Sequence, residues 1–293
     1  MTKPLILSHE PEPISRLDWG ALLNRTGRIV IMALLVAVMV LPFLWMLSTS
    51  LKPQQYILQA TPQLIPRPLS VESYTQLVER IDLFRMAFNS AFVAVASTIG
   101  QIIIAAMAGY AFSRMQWRGR NTVFVLYLAT LMIPAVVLVI PQFILVRWLD
   151  WTNQYTGLII PGLFSAFGVF LLRQAFLALP KDFEEAATVD GANPFVIFWR
   201  VMLPLVQPSI ATLAVFSFMG SWNAYLWPLF VARREEVMTL PVALATLQAG
   251  PRALTEWNMV MAGSVVAVLP ILLVYLVAQR WFVSGVISSG IKG

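Results

Sequence analysis

Six stretches of the chain, 29–47, 86–112, 122–146, 158–172, 208–232 and 259–279, run without a charged side chain. Each meets or approaches the roughly 20 apolar residues that a helix needs to cross about 30 Å of hydrocarbon. Only structures that satisfy their own backbone hydrogen bonds survive there, so the pattern predicts an all-α bundle of six membrane-spanning helices. The fourth stretch is the shortest and is expected to extend by a turn, with Arg173 snorkelling toward the headgroups. Pro42, Pro134, Pro141 and Pro161 offer hinge positions, and Ala105 with Gly109 forms a small-xxx-small pair suited to close helix packing.

Charge changes the picture from spans to topology. Twelve of the 20 Lys and Arg, including Arg25, Arg28, Arg114, Arg118, Arg120, Lys181 and Arg200, fall on one face if the spans alternate. The positive-inside rule puts that face, and both termini, in the cytoplasm. Residues 1–28 are rich in prolines and charges and read as a cytoplasmic tail rather than a cleaved signal. The division expected is a tail over 1–28, a membrane domain over 29–283 and a cytoplasmic C-terminal tail over 284–293. The long outer segments are 52–85, with the turn-rich TPQLIPRPLS, and 233–258; the long inner segment is 173–203.

Composition then removes whole classes of function. Of 293 residues 59% are hydrophobic and 12% charged, against roughly 25% charged in soluble proteins, which excludes a soluble enzyme. Mean hydropathy is +0.76. The net charge of +6 is scattered between apolar blocks, which speaks for topology and against nucleic acid. With no Cys and one His, His9, neither a thiolate metal site nor a His-dependent catalytic triad can be built. The spans lack ionisable residues, which disfavours proton coupling. None of the four lysines, Lys3, Lys52, Lys181 and Lys292, follows a Gly, so the GxxxxGK[ST] phosphate loop is absent and any ATP must be hydrolysed by another subunit.

The densest local signal lies at about 180–204, LPKDFEEAATVDGANPFVIFWRVMLP. Asp182 and Glu185 have the spacing of a capping box, which predicts a short helix starting there. Gly191 suits the positive φ of a helix stop, and Asn193–Pro194 suits the N-cap and first position of a second helix. Ala186 and Ala187 give the first helix a shallow flank between Phe183 and Val189. On the second, Phe195, Phe198, Trp199 and Met202 repeat at helical spacing and are expected against the bundle or the headgroup layer. On the residues alone, the loop could equally be an amphipathic surface element whose acids keep it solvated. Glu184, Glu185 and Asp190 as catalytic carboxylates would lack a His or a metal beside them.

This segment resembles the EAA loop of binding-protein-dependent ABC importer permeases. Glu185, Ala186, Ala187, Gly191, Leu203 and Pro204 fall on the family spacing, with Val201 in place of the usual Ile. SWNAYLWPL and the C-terminal QRWFVSGVISSGIKG are similar to the smaller six-span permease of maltose-type carbohydrate importers, although Ala224 stands where an acid often follows WN. The resemblance implies a type I ABC importer permease fold in the bacterial inner membrane, with no catalytic centre, no metal and no cofactor on this chain. It implies a second permease, two cytoplasmic ATPase subunits that hold ATP and Mg, an external solute-binding protein and a carbohydrate cargo. Glu185, Ala186, Ala187, Asp190, Gly191, Leu203 and Pro204 would then form the ATPase-coupling contact, and Ser288, Ser289, Gly290 and Lys292 a tail reaching the same interface.

Trp222, Asn223, Tyr225 and Trp227 combine aromatic faces with an amide, a set suited to sugar CH faces and hydroxyls. Aromatic packing at a membrane interface accounts for them equally well. Two rivals stand beside the carbohydrate importer: a secondary carrier or channel acting alone, and an ABC permease for a polyol, glycerol phosphate or uronate oligosaccharide.

Overall fold

The computed structural model describes residues 19–57, 63–248 and 256–289, with side chains described between 25 and 279. Every regular element among them is helical. In chain order these are α1 (Trp19–Ser50), α2 (Glu72–Arg80), α3 (Leu83–Arg114), α4 (Arg120–Ala129), α5 (Ala135–Trp148), α6 (Tyr155–Ile159) and α7 (Ala166–Leu177). After them come α8 (Asp182–Val189), α9 (Pro194–Val196), a π-helical turn (Ile197–Met202), α10 (Leu203–Leu205), α11 (Gln207–Trp222), α12 (Leu226–Val231), α13 (Leu240–Thr246) and α14 (Trp257–Ser289). The chain divides into two units between Met46 and Leu47, the first holding most of α1.

Three helices, α1, α3 and α14, are each long and apolar enough to cross a membrane, and three bent pairs bring the total to six if each pair is one span. The bends depart from the unbroken spans expected over 122–146, 158–172 and 208–232. Within the first, Arg120–Met132 meets Ala135–Trp148 at 101°, with Pro134 at the N-cap of α5. Within the second, Tyr155–Gly162 meets Ala166–Leu177 at 46°, just past Pro161. The third stretch is entered through a 77° bend between Pro194–Leu205 and Gln207–Trp222. Pro208 has no N–H for the carbonyl of Pro204 four residues back, and its ring crowds that carbonyl, so the helix turns between them. The stretch also breaks at Asn223–Tyr225, because Pro228 likewise has no N–H for the carbonyl of Ala224.

In the second unit α3 is the central helix, and small residues let it pack closely. A Cβ added to Gly109 would lie 3.0 Å from the backbone N of Arg173, and one added to Gly168 would lie 3.2 Å from the Cβ of Ala105. The expected small-residue pair therefore serves α3–α7 packing within the chain. Around this seam Leu172, Phe176, Phe198, Met202 and Leu213 form one core cluster. A second gathers Leu77, Met86, Ala94, Trp222, Leu240 and Met259.

At its other end α3 is fastened to the outer segments by neutral amides. Asn89 is 1% exposed. Its Nδ2 donates to the carbonyls of Glu236 (3.1 Å) and Met238 (2.9 Å), and its Oδ1 accepts from the Tyr155 hydroxyl at 2.7 Å. In the loop before α6, Asn153, itself at φ 56°, accepts from the backbone N–H groups of Arg233 (2.8 Å) and Arg234 (3.0 Å). The buried Asn89 amide is thus fully paired without any charge.

Arg173, half-buried, has partners within the protein: its Nε donates to the Phe112 carbonyl at 3.2 Å and its guanidinium sits 4.1 Å from the Phe124 ring centroid.

Candidate functional site

The loop after α7 folds as two short helices around a glycine turn. Lys181, not Asp182, is the N-cap of α8 and makes no side-chain cap bond, so the expected capping box does not form. The helix starts one residue early for it: Asp182 is already in the first turn, with Glu184 and Glu185 beside it. Their carboxylates instead complement the positive end of the helix dipole. At the far end Gly191 takes φ +83°. Its N–H reaches the Thr188 carbonyl at 3.0 Å and the N–H of Ala192 reaches Ala187 at 2.9 Å, the paired bonds of a Schellman stop. Asn193 then caps α9 through Oδ1 to the Val196 N–H at 2.9 Å, with Pro194 at the first helical position.

Past α9 the chain winds as a π-turn, and the aromatic residues divide. Phe198 and Met202 are buried in the core, whereas Phe195 is 70% exposed and Trp199 lies half out beside it, ring centroids 6.1 Å apart. All four therefore do not share one buried face, as the wider π-winding shifts the register. Leu203, half-buried, and Pro204, exposed, begin α10 and lead into the 77° bend.

On α8 itself Glu185, Ala186, Asp190 and Gly191 are exposed, Val189 is 88% exposed and Ala187 packs partly on the core. The helix therefore presents a small-sided, acid-edged ridge. Nothing lies within 4 Å of a Cβ placed on Gly191, so that turn faces open space.

What fixes the ridge is a residue that sequence reasoning passed over. Glu184 turns inward: its Oε2 is 3.3 Å from Nη1 of Arg114, and its Oε1 accepts from the Tyr110 hydroxyl at 3.0 Å. Arg114, with a side chain only 8% exposed, also donates from Nη2 to the carbonyls of Phe176 and, at 2.6 Å, Leu179. One guanidinium thus ties the end of α3, the end of α7 and the start of α8 together. These hydrogen bonds to charged groups, largely but not wholly shielded from solvent, are the stronger kind.

The residues singled out for substrate divide as well. Trp222 is 3% exposed, donates Nε1 to the Ala267 carbonyl at 3.0 Å and stacks on Phe218 with ring centroids 6.0 Å apart. Trp227 donates Nε1 to the Gly157 carbonyl at 3.0 Å. Asn223 and Tyr225 are exposed, at the break between α11 and α12. Asn223 caps α11, its Nδ2 donating to the Met219 carbonyl at 2.9 Å. At the C-terminus α14 continues through Ser289, beyond the 283/284 boundary; Ser288 and Ser289 end the helix, while Gly290 and Lys292 lie outside the described residues.

Residues 101–288 match the family described as "Binding-protein-dependent transport system inner membrane component". The chain is 36% identical to the arabinooligosaccharides transport system permease protein AraQ of Bacillus subtilis, over 86% of this chain and 90% of that one. It is 38% identical to the sn-glycerol-3-phosphate transport system permease protein UgpE of Pectobacterium atrosepticum, over 70% and 73%. Among solved structures it superimposes on a chain of a bacterial ABC transporter involved in the import of the acidic polysaccharide alginate, with a TM-score of 0.81 and 25% identity over 91% of this chain and 99% of that one. The likeness covers the bent spans, α8 and the glycine stop together, so the fold is that of a type I ABC importer permease and the chain belongs to the binding-protein-dependent transport system inner membrane component family.

Proposed function

We propose that the chain is one of two permeases in an ATP-driven importer that moves a sugar or oligosaccharide into the cytoplasm by alternating access. An external solute-binding protein delivers the cargo, and a pair of separate ATPase subunits binds ATP and Mg and receives α8. Both termini face the cytoplasm, in keeping with the distribution of Lys and Arg. The observation that carries the reading is α8 itself: an exposed helix with small side chains at Ala186 and Ala187, a glycine stop at Gly191 and a charged brace at Glu184. Exposed small residues let a partner's groove come close, and the brace makes the ridge move with α3 and α7 as near rigid bodies. The carbohydrate cargo draws its support from the relative named for arabinooligosaccharides.

Co-purification from native membranes in mild detergent, followed by ATPase assay, tests this. Recovery of a second permease and an ATPase, with turnover stimulated by the sugar-loaded binding protein, is the expected result. A lone chain that transports in liposomes without an ATPase overturns it.

A further inference from the structure

Between α3, α5, the α6–α7 break and the C-terminal half of α11 lies a cavity of about 360 Å³. It is within the range of small-molecule sites. Its wall is unusual for a position among membrane-spanning helices, because Ser97, Gln101, Gln142, Ser217 and Ser221 all contribute to it. Part of this polarity is internally satisfied: Ser217 Oγ bonds Gln101 Oε1 at 2.7 Å and Gln101 Nε2 donates to the Gly162 carbonyl at 2.8 Å. This network holds the Gln101 amide in one orientation. Ser97, Gln142 and Ser221 make no side-chain hydrogen bond among the described residues. A primary amide and two hydroxyls without partners would be costly against lipid, so they call for water or a hydroxyl-bearing ligand. Trp227 also lines the cavity, and its indole N–H is already bonded to Gly157, which leaves its ring for apolar contact.

None of the cavity's 12 lining residues is charged. A carboxylate or phosphate entering it would lose its hydration shell without gaining a cationic partner. Amide, hydroxyl and indole face together suit alternating OH groups and CH faces.

We propose that this cavity is a subsite, in this subunit, for an uncharged polyhydroxylated ligand of the neutral oligosaccharide class. The proposal rests on the importer reading above and sharpens it. Of the cargoes carried by its relatives, the one named for arabinooligosaccharides fits, whereas those named for glycerol 3-phosphate and for an acidic polysaccharide do not. Gln142 is the specificity-determining residue, through hydrogen bonds to the ligand.

The assembled transporter in native membranes allows a direct test, because this chain contains no cysteine. Ser97→Cys and Ser221→Cys are each exposed to a water-soluble methanethiosulfonate, and labelling is read on this chain. Both label if the cavity is wet. Failure to label under conditions that label the same variants after denaturation overturns the proposal. With arabinotriose as probe and its loaded binding protein, uptake into proteoliposomes falls about five- to tenfold in Gln142→Leu, the scale of one neutral hydrogen bond. Unchanged uptake in Gln142→Leu, or wild-type uptake of trigalacturonate or glycerol 3-phosphate in preference to arabinotriose, sinks the neutral subsite. Wild-type ATPase that no loaded binding protein stimulates would instead sink the importer reading, and the labelling result is read separately from it.

Discussion

The two ends of α3 are fastened by different chemistry. At Asn89 an uncharged amide joins the helix to the outer segments at three points, entirely buried. At Arg114 a charged pair joins it to α7 and α8, with Glu184 still partly reached by solvent. A neutral, fully satisfied clip costs little to bury and fixes one geometry. A charged pair is more expensive to bury, but its strength depends on distance and surroundings, which leaves the joint adjustable. The difference teaches that the Asn89 end is built for permanence and the Arg114 end for adjustment.

The largest effect expected is on permanence. Asn89→Leu leaves two carbonyls and a hydroxyl unpaired, and stability should fall by about 2–4 kcal/mol. Thermal unfolding of the detergent-purified assembly would report it as a lower Tm and poor yield; an unchanged Tm would mean that the clip carries no weight.

At the Arg114 end, Arg114→Met removes the brace and leaves Glu184 without its cationic partner, held by the Tyr110 hydroxyl alone. Because Glu184 is partly exposed, a loss of about 1–3 kcal/mol is expected, with transport per ATP falling more than ATP turnover does. Glu184→Gln should be milder, and Tyr110→Phe milder again. If all three variants keep wild-type coupling ratios, the comparison between the two ends fails. Gly191→Ala should cost about 1 kcal/mol, since the penalty comes from φ and not from space. Gly191→Trp adds bulk at the docking surface and should abolish transport-coupled ATPase activity while the subunits still co-purify. Smaller still, Asn193→Ala removes one cap, roughly 1 kcal/mol, and should show as local hydrogen-exchange deprotection of 194–199 without loss of assembly. Removing 288–293 should lower coupling modestly, and wild-type transport after the deletion would free the tail of that role.

Much of this architecture is legible in the sequence because lipid imposes a crude rule: long uncharged runs become helices. The same rule says nothing about bends. Pro134, Pro208 and Pro228 set them through missing N–H groups, and the length of an apolar run does not register which carbonyl loses its partner. The loop was readable where its signals were local, as at Gly191 and Asn193. It misled where two local signals competed, as at Asp182, whose capping pattern lost to a helix that begins after Lys181. The partners of Arg173, Phe112 and Phe124, were not legible because they come from α3 and α4, distant in sequence. The Arg114–Glu184 brace had no local signature, since the pair meets only when α3 and α8 are side by side. Trp222 carried the chemistry of a ligand contact, yet burial against Ala267 and Phe218 occupies it.

Fastened near both ends, α3 is a rod that cannot easily slide along its own axis. Its 32 residues make it roughly 48 Å long at 1.5 Å per residue. A rod held this way responds to a push at one tip by tilting: a rotation of about 5° around Ala105 carries the Leu83 tip roughly 3 Å and the Arg114 tip roughly 1 Å, in opposite directions. Mechanically α3 is an unequal lever whose fulcrum is the small-residue seam at Ala105 and Gly168: about 33 Å of helix lie on the Leu83 side and about 14 Å on the Arg114 side, so a short stroke at the Arg114 tip becomes one more than twice as long at the other.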